Sequence, residues 1–559
     1  MFAAIKSLIK KIPYFNKFYS RLRANKSINW SKLNKNYSHS ISNKKNNVLM
    51  ATSLGDYEMG VLLESCLSAA LRLRDTNVDV LLCDSALNAC QMSKIESISP
   101  NIMAKDGPIS RCNSCIHYGR NIFKGAVDNE LYFSDYILPE EKVLASKISK
   151  QTPYDQIKSY VYDGLSIGEH AYAGALRYYA RGDLNNEFFG EQILRRYFKS
   201  ALLTVFCMDR VLEQNNYDVV CFHHGIYVPQ GLITQVCQKK NIRVVTWNPA
   251  YKSNTFIFSH YDSYHHTMIS EDISRWQDIE MNETKENAIK KYLKSRRQGT
   301  NDWIWFHDTP EENADKIKDE LGCSFDRPAI GLFTNVMWDA QLHYESNAFE
   351  NMLDWVFASI DYFSKRKDLE LFIRIHPAEI RGAIPSRQPL LKEIYDKYES
   401  MPDNIYVIPP ESQISTYALM DKCNAVTIYN TKTGIEVASE GIPTIVAGEA
   451  WIRGKGFAID VNSKDEYFKI LEDLPFKSKL SNEHKLNALK YAYHFFMRRM
   501  IPIPFIEFDS KTGLYSSTLQ STSNLQPGNF QGLDLICNGI LNGTPFEFDD
   551  EDYLEQINS

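Results

Sequence analysis

Short apolar runs, each closed by a Gly, Pro or Asn break, alternate with amphipathic stretches at helical spacing along most of this chain. That alternation is the pattern of strand, loop and helix units that build a parallel sheet. Residues 48–55 predict a first strand running into a glycine turn, 61–73 an amphipathic helix and 78–83 a second strand, the start of a βαβ unit. The turn Gly55-Asp-Tyr-Glu-Met-Gly60 lacks the G-x-G-x-x-G order of a dinucleotide fingerprint. Residues 155–215 predict helices over 159–168, 172–181 and 188–214. Strand and helix then alternate again: 218–222 is a strand ending in His223-His224-Gly225, 231–239 a helix, and 243–247 a strand ending in Asn248-Pro249.

A charged stretch, 275–325, with Trp303 and Trp305 set into it, predicts a helical connection between two halves. The second half repeats the pattern. Strands are expected at 329–333, 369–375, 405–408, 425–429 and 444–446, and helices at 348–366, 415–422 and 434–440. A last helix over 483–499 is expected to cross back to the first half. The predicted divisions are 1–46, 47–320, 321–480 and 481–559.

Two polar clusters fall just past predicted strands of the second half, where open parallel sheets bind their ligands. One is Arg374-Ile-His376-Pro377; the other is Thr431-Lys-Thr433-Gly434-Ile-Glu436, followed by Gly441-Ile-Pro443. Together they carry what a departing nucleotide needs: an imidazole fixed by a proline turn, a guanidinium, and a helix start for a phosphate. Glu436 is placed for a ribose hydroxyl, and Asn335, with Asp339, lies in the loop after the first strand of this half. In the first half, Tyr162-Asp163-Gly164 and Glu169-His170 put three ionisable groups beside two glycines, with Asp163 the first choice for base or nucleophile. His223 and His224, at a strand end, form a second candidate pair.

The motifs Arg374-Ile-His376-Pro377, Thr433-Gly434-Ile-Glu436 with Gly441-Ile-Pro443, and Gly454-Lys-Gly456-Phe457 after Val446-Ala-Gly448 resemble those of bacterial capsule and lipopolysaccharide biosynthesis glycosyltransferases of GT-B architecture, the group that includes Kdo transferases. The resemblance implies an α/β fold with two Rossmann-like domains facing a central cleft. It also implies a nucleotide-sugar donor, CMP-activated before UDP- or GDP-activated, on the second half and a glycan or glycolipid acceptor on the first. In that family the His-Pro motif attends the CMP phosphate and an acidic pair precedes a glycine; here the first acidic position is Tyr162. A CDP-polyol phosphotransferase and a non-catalytic carbohydrate-binding scaffold remain as alternatives. No D-x-D triad stands at a strand end, so transfer is expected to be metal-independent.

Length and composition fit this picture: 559 residues with 44% hydrophobic content suffice for two cores. A net charge of −6 gives no nucleic-acid signature. The charge is lopsided, however: residues 1–55 contain no Asp or Glu. Phe2, Ile5, Leu8, Ile9 and Ile12 recur at helical spacing among lysines, which suits peripheral contact with an anionic inner-membrane surface from the cytoplasm. The eleven cysteines are expected to be reduced thiols. Cys83, Cys90, Cys112 and Cys115 form a candidate structural zinc set, whereas the adjacent His265 and His266 are poorly spaced for a metal.

Overall fold

The computed structural model describes residues 28–33, 45–299, 302–303, 310–342, 344–509 and 514–558. The basic amphipathic segment and Trp305 lie outside the described residues.

Two sheets organise the chain. The first contains β1 (Asn46–Ser53), β2 (Thr76–Leu82), β3 (Asn129–Tyr132), β4 (Val219–His223), β5 (Arg243–Pro249) and β6 (Thr255–His260). The second contains β7 (Ala329–Phe333), β8 (Glu370–Arg374), β9 (Ile405–Ile408), β10 (Cys423–Ile428), β11 (Thr444–Val446) and β12 (Ile459–Asp460). Their orders are β3-β2-β1-β4-β5-β6, extended by β13 (Ile501–Pro502), and β9-β8-β7-β10-β11-β12. Each half therefore has the doubly wound order of a Rossmann-like domain. The second sheet is parallel throughout, while β6 pairs antiparallel with β5 in the first.

Period-two alternation sorts the strand residues onto two covered faces. On β1, Leu49 and Ala51 pack under the helices Ile167–Tyr179 and Gly190–Gln214, while Val48 and Met50 pack under Glu58–Arg72. On β7, Ala329 and Phe333 face one core, Ile330 and Leu332 the other. The strand order, once formed, leaves one switch point in each half: between β1 and β4, and between β7 and β10.

The connection between halves is the helix Glu283–Gln298. Where a single helix over 483–499 was expected, Asn482–Tyr493 runs into a π-helical turn, His494–Arg498, before β13 joins the first sheet. The described residues of 501–548 pack against that half: Ile503, Phe505, Leu533 and Ile536 share a core with Val48 and Met50. The predicted helix over 159–168 is instead a turn closed by a Tyr162–Leu165 bridge, and helix starts only at Ile167. Gly168 explains the tight approach, since a Cβ there would meet Ile157 O at 1.7 Å.

Among the described residues, no helix is long and apolar enough to cross a membrane. No group of three or more His, Cys, Asp or Glu among them is arranged to hold a metal ion.

Candidate functional site

The two switch points open into one shared cavity of ≈ 390 Å³. Its second-half wall is built from strand ends: Thr334 and Asn335 after β7, His376 after β8, and Asn430 to Lys432 after β10. The facing wall carries His224 after β4, Asn248 at the end of β5, and Tyr264 with His265.

His376 is aimed by its neighbours. Its backbone N–H donates to Thr334 Oγ1 at 3.1 Å, and its Nδ1 accepts the Ala378 N–H at 3.0 Å across the Pro377 turn. With Nδ1 accepting, the imidazole proton resides on Nε2, which makes that nitrogen a donor. Asn335 Nδ2 donates to Asn430 O at 3.2 Å and ties the two switch-point loops together.

Arg374 borders the cavity, yet its guanidinium is committed to the loop after β9. It donates to Pro409 O at 2.6 Å, Ser412 O at 3.2 Å and Thr416 Oγ1 at 3.4 Å. Burial lowers it to about 10. The physical reason is its position inside the strand, where a buried cation must find acceptors locally; Arg374 holds the loop that brings Thr416 and Tyr417 to the cavity.

Glu436 is likewise engaged. Its carboxylate accepts from Arg296 Nε at 2.8 Å and Lys432 Nζ at 3.3 Å, while Arg296 also pairs with Asp302. Burial alone would raise the Glu436 carboxyl, but Arg296 and Lys432 outweigh it and hold it at about 2. Burial, then Arg296, lowers Lys432. The Tyr251 ring from the first half lies 4.5 Å from Lys432 Nζ and 5.5 Å from Arg296 Cζ. Two cations and two carboxylates thus cancel at the cavity floor, and the Glu436 carboxylate, expected to meet a ribose hydroxyl, is already held by Arg296 and Lys432.

Thr431 Oγ1 and Thr433 Oγ1 are 3.2 Å apart at the head of a helix of only seven residues, Thr433–Ser439. Gly434 serves packing: a Cβ there would meet Ile428 Cδ1 at 2.5 Å and Ile452 Cδ1 at 2.7 Å.

Of the first-half candidates, only His224 reaches the cavity. It sits at φ +69, its ring 5.2 Å from Tyr227 and 5.2 Å from Tyr264. Burial, aided by Arg177, lowers it to about 3, so it is a neutral imidazole. Asp163 is displaced from the cleft: it caps an exposed turn at φ +52 and pairs with Lys239, its side chain 65% exposed. His170 is buried, its Nδ1 donating to Ile226 O and its Nε2 accepting from Gln235 at 2.8 Å, which makes it a packing residue. Glu169, one residue earlier on the same helix, is half-buried and does not line the cavity. His223 is fully packed, with Nε2 shared between Tyr57 Oη at 3.1 Å and Asn248 Oδ1 at 3.0 Å.

Three of the four thiols of the candidate zinc set have separate hydrogen-bond partners. Cys115 Sγ accepts the Asp56 N–H at 3.2 Å, Cys112 Sγ donates to Pro108 O at 3.4 Å and Cys90 lies 4.0 Å from Ser93 Oγ. Burial pushes Cys115 up to about 12 and keeps Cys83, Cys90 and Cys112 raised as well.

Sequence reading missed Glu449. It lines the cavity, is only 6% exposed, and among the described residues its carboxylate has no hydrogen bond or ion pair. The signal was available: Glu449 stands just past a strand, after Gly448, whose missing Cβ lets the loop lie against Tyr429 O.

No family model and no curated protein matches the chain. Solved structures similar to it include a beta Kdo 2,4 transferase, KpsC, of Thermosulfurimonas dismutans, with 12% identity and a TM-score of 0.33 over 55% of this chain and 87% of that one. Others are the UDP-GlcNAc 2-epimerase of Neisseria meningitidis, 10% identical with a TM-score of 0.25 over 80% and 95%, and the Candida albicans trehalose-6-phosphate phosphatase N-terminal domain, 9% identical with a TM-score of 0.33 over 82% and 94%. At such scores the likeness decides nothing about chemistry, which rests on the residues of the cavity.

Proposed function

We propose that the protein is a GT-B glycosyltransferase that moves a sugar from a nucleotide-activated donor onto a bacterial surface glycan, with a CMP-activated acidic sugar the favoured donor. The observation that carries this reading is the pair of opposed switch points sharing one cavity, with His376 Nε2–H presented at the mouth of the second sheet.

In this reading the nucleotide lies on the second half. The acceptor hydroxyl attacks the anomeric carbon, the bond from that carbon to the phosphate oxygen breaks, and the nucleotide leaves with the electron pair. His376 donates to the phosphate as its charge grows, and in this reading the step is metal-independent. Glu449 replaces Asp163 as the base that takes the acceptor proton, because it is a buried carboxylate facing the cavity without a partner among the described residues. Contact of the basic N-terminal segment with an anionic cytoplasmic membrane face belongs to the same reading.

The test is incubation with CMP-, UDP- and GDP-activated sugars and a glycan acceptor, following nucleotide release and product mass together. A glycan lengthened by a sugar without phosphorus supports transfer. Phosphorus retained in the product would instead indicate CDP-polyol chemistry, and nucleotide binding without turnover would indicate a scaffold.

A further inference from the structure

The cavity is elongated along the edge of the second sheet, and its two ends differ in chemistry. His376 follows β8, while Glu449 and Trp451 follow β11. β7 and β10 stand between those strands, so the ends lie three strand spacings apart, roughly 14 Å. Among the described residues the lysines and arginines lining the cavity are Arg296, Arg297, Arg374 and Lys432. Each is committed: Arg374 to carbonyls, Arg296 to Asp302 and Glu436, Arg297 to Asp421, and Lys432 to Glu436.

The β11 end is made of rings and carboxylates. Tyr264 and His265, both half-buried, line it from the first half, and the Trp451 ring backs them at 6.2 Å and 5.6 Å. Burial, then His266, lowers His265 to about 3, and His224 is neutral for the same leading cause, so neither imidazole supplies a positive charge. Asp339 lines the cavity and is exposed; the Tyr227 hydroxyl fixes its Oδ1, and among the described residues its Oδ2 has no hydrogen bond. The Asp339 charge reaches Tyr264 and His265. Asp339 and Glu449 both reach Tyr344, whose ring is 5.8 Å from His265, so the two carboxylates flank the rings. No oxygen of either carboxylate is a sealed, unpaired atom.

Aromatic faces are apolar and carry negative charge at their centres, which suits the C–H face of a sugar ring. Ionised carboxylates only accept hydrogen bonds, so hydroxyls complete them. An acidic substituent placed here would meet two like charges with no uncommitted cation to offset them. We propose that the β11 end of the cavity is an acceptor subsite for a sugar that carries no acidic group. The ring lies against Tyr264 and His265, the attacking hydroxyl donates to Glu449, and a second hydroxyl donates to Asp339 Oδ2. This rests on the glycosyltransferase reading only in calling the occupant an acceptor and Glu449 its base. The nucleotide and the acceptor then occupy opposite ends of one cleft, with the transferred sugar between them.

Ligand-observed NMR titration of the full chain tests the subsite with matched pairs of methyl hexosides and methyl uronosides in the gluco, galacto and manno configurations. Wild type is expected to bind at least one neutral hexoside roughly tenfold or more tightly than its acidic twin, as two like charges require. Tyr264→Ala should weaken that hexoside roughly 2- to 10-fold, the size of a lost aromatic contact. Asp339→Asn combined with Glu449→Gln should bring the uronoside to within about threefold of the hexoside, because the repulsion is gone while amides remain to accept hydroxyls. Binding of the uronoside as tightly as the hexoside by wild type, no binding of any pair, or undiminished discrimination in the double variant, shown folded by circular dichroism, would overturn the proposal. Titration of CMP, UDP and GDP in parallel separates the two ideas. Discrimination against the acid without nucleotide binding removes the transferase reading and leaves the sugar subsite; nucleotide binding without discrimination removes the subsite alone.

Discussion

The Tyr227 hydroxyl donates to Asp339 Oδ1 at 2.7 Å and accepts the Ala340 N–H at 2.9 Å. Tyr227 follows β4 and Asp339 follows β7, so the loops of the two switch points are fastened directly to each other across the cleft. Apolar contact reinforces the join, with Ile226 and Tyr227 packed against Ala340 and Leu342. Tyr227→Phe removes both hydrogen bonds and leaves Asp339 without its donor. The expected outcome is a loss of roughly 1–3 kcal/mol in loop closure, read as faster hydrogen exchange of the 336–342 amides with the sheet amides unchanged.

The charge cluster beneath the cavity makes a second prediction. Arg296, Asp302 and Glu436 are each less than a tenth exposed at the side chain. Removing one partner leaves a buried charge uncompensated, so Arg296→Gln should destabilise the protein by roughly 3–5 kcal/mol. Chemical denaturation should also find that Arg296→Gln with Glu436→Gln costs less than the two separate losses together, because the second change removes the charge the first one stranded.

A third prediction concerns pH. The Glu64 carboxyl is buried beneath the first sheet, accepting from Thr52 Oγ1 and from Trp247 Nε1 at 2.9 Å, and burial raises it to about 8 despite these two bonds. Between the ordinary carboxylate value and about 8 the folded chain holds this proton while the unfolded chain has lost it. Stability therefore falls as pH rises through that window, by up to about 1.4 kcal/mol per unit from this group. Glu64→Gln should remove this component of the slope in melting temperature between pH 5 and 8. An unchanged slope would show that Glu64 is ionised when buried.

Asp163 gives a contrasting expectation. Its exposed pairing with Lys239 contributes little, so Asp163→Asn should change melting behaviour by no more than about 0.5 kcal/mol and leave transfer activity intact. A large loss of activity would return Asp163 to the mechanism.

The fold was legible because burial on both faces leaves its mark locally. Leu49 and Ala51 oppose Val48 and Met50 within one apolar run, and the same holds along β7. His376 and Asn335, which line the cavity, were singled out by the rule that ligands gather past strand ends. What escaped was set by partners far away in sequence. Glu436 has the right neighbours for a ribose, but Arg296, 140 positions away, claims its carboxylate. Asp163 stands beside two ionisable residues in sequence, yet a left-handed backbone turns it to solvent. Glu449 lacked any motif of its own, and only the shape of the cavity distinguishes it from the other acidic residues near strand ends. The antiparallel β6 and the return of β13 were equally hidden: β13, at the sheet edge, has two residues, too few to show a period, and the direction in which β6 pairs leaves no mark in its apolar pattern.

The central claim is that the second half holds a nucleotide through His376. Titration calorimetry of CMP, UDP and GDP against wild type and His376→Ala tests it most directly, with circular dichroism to verify the fold of the variant. The account predicts that one of the three binds wild type and that His376→Ala weakens it by roughly tenfold or more without loss of structure. Binding of equal strength in the variant, or no binding of any nucleotide to wild type, would contradict it.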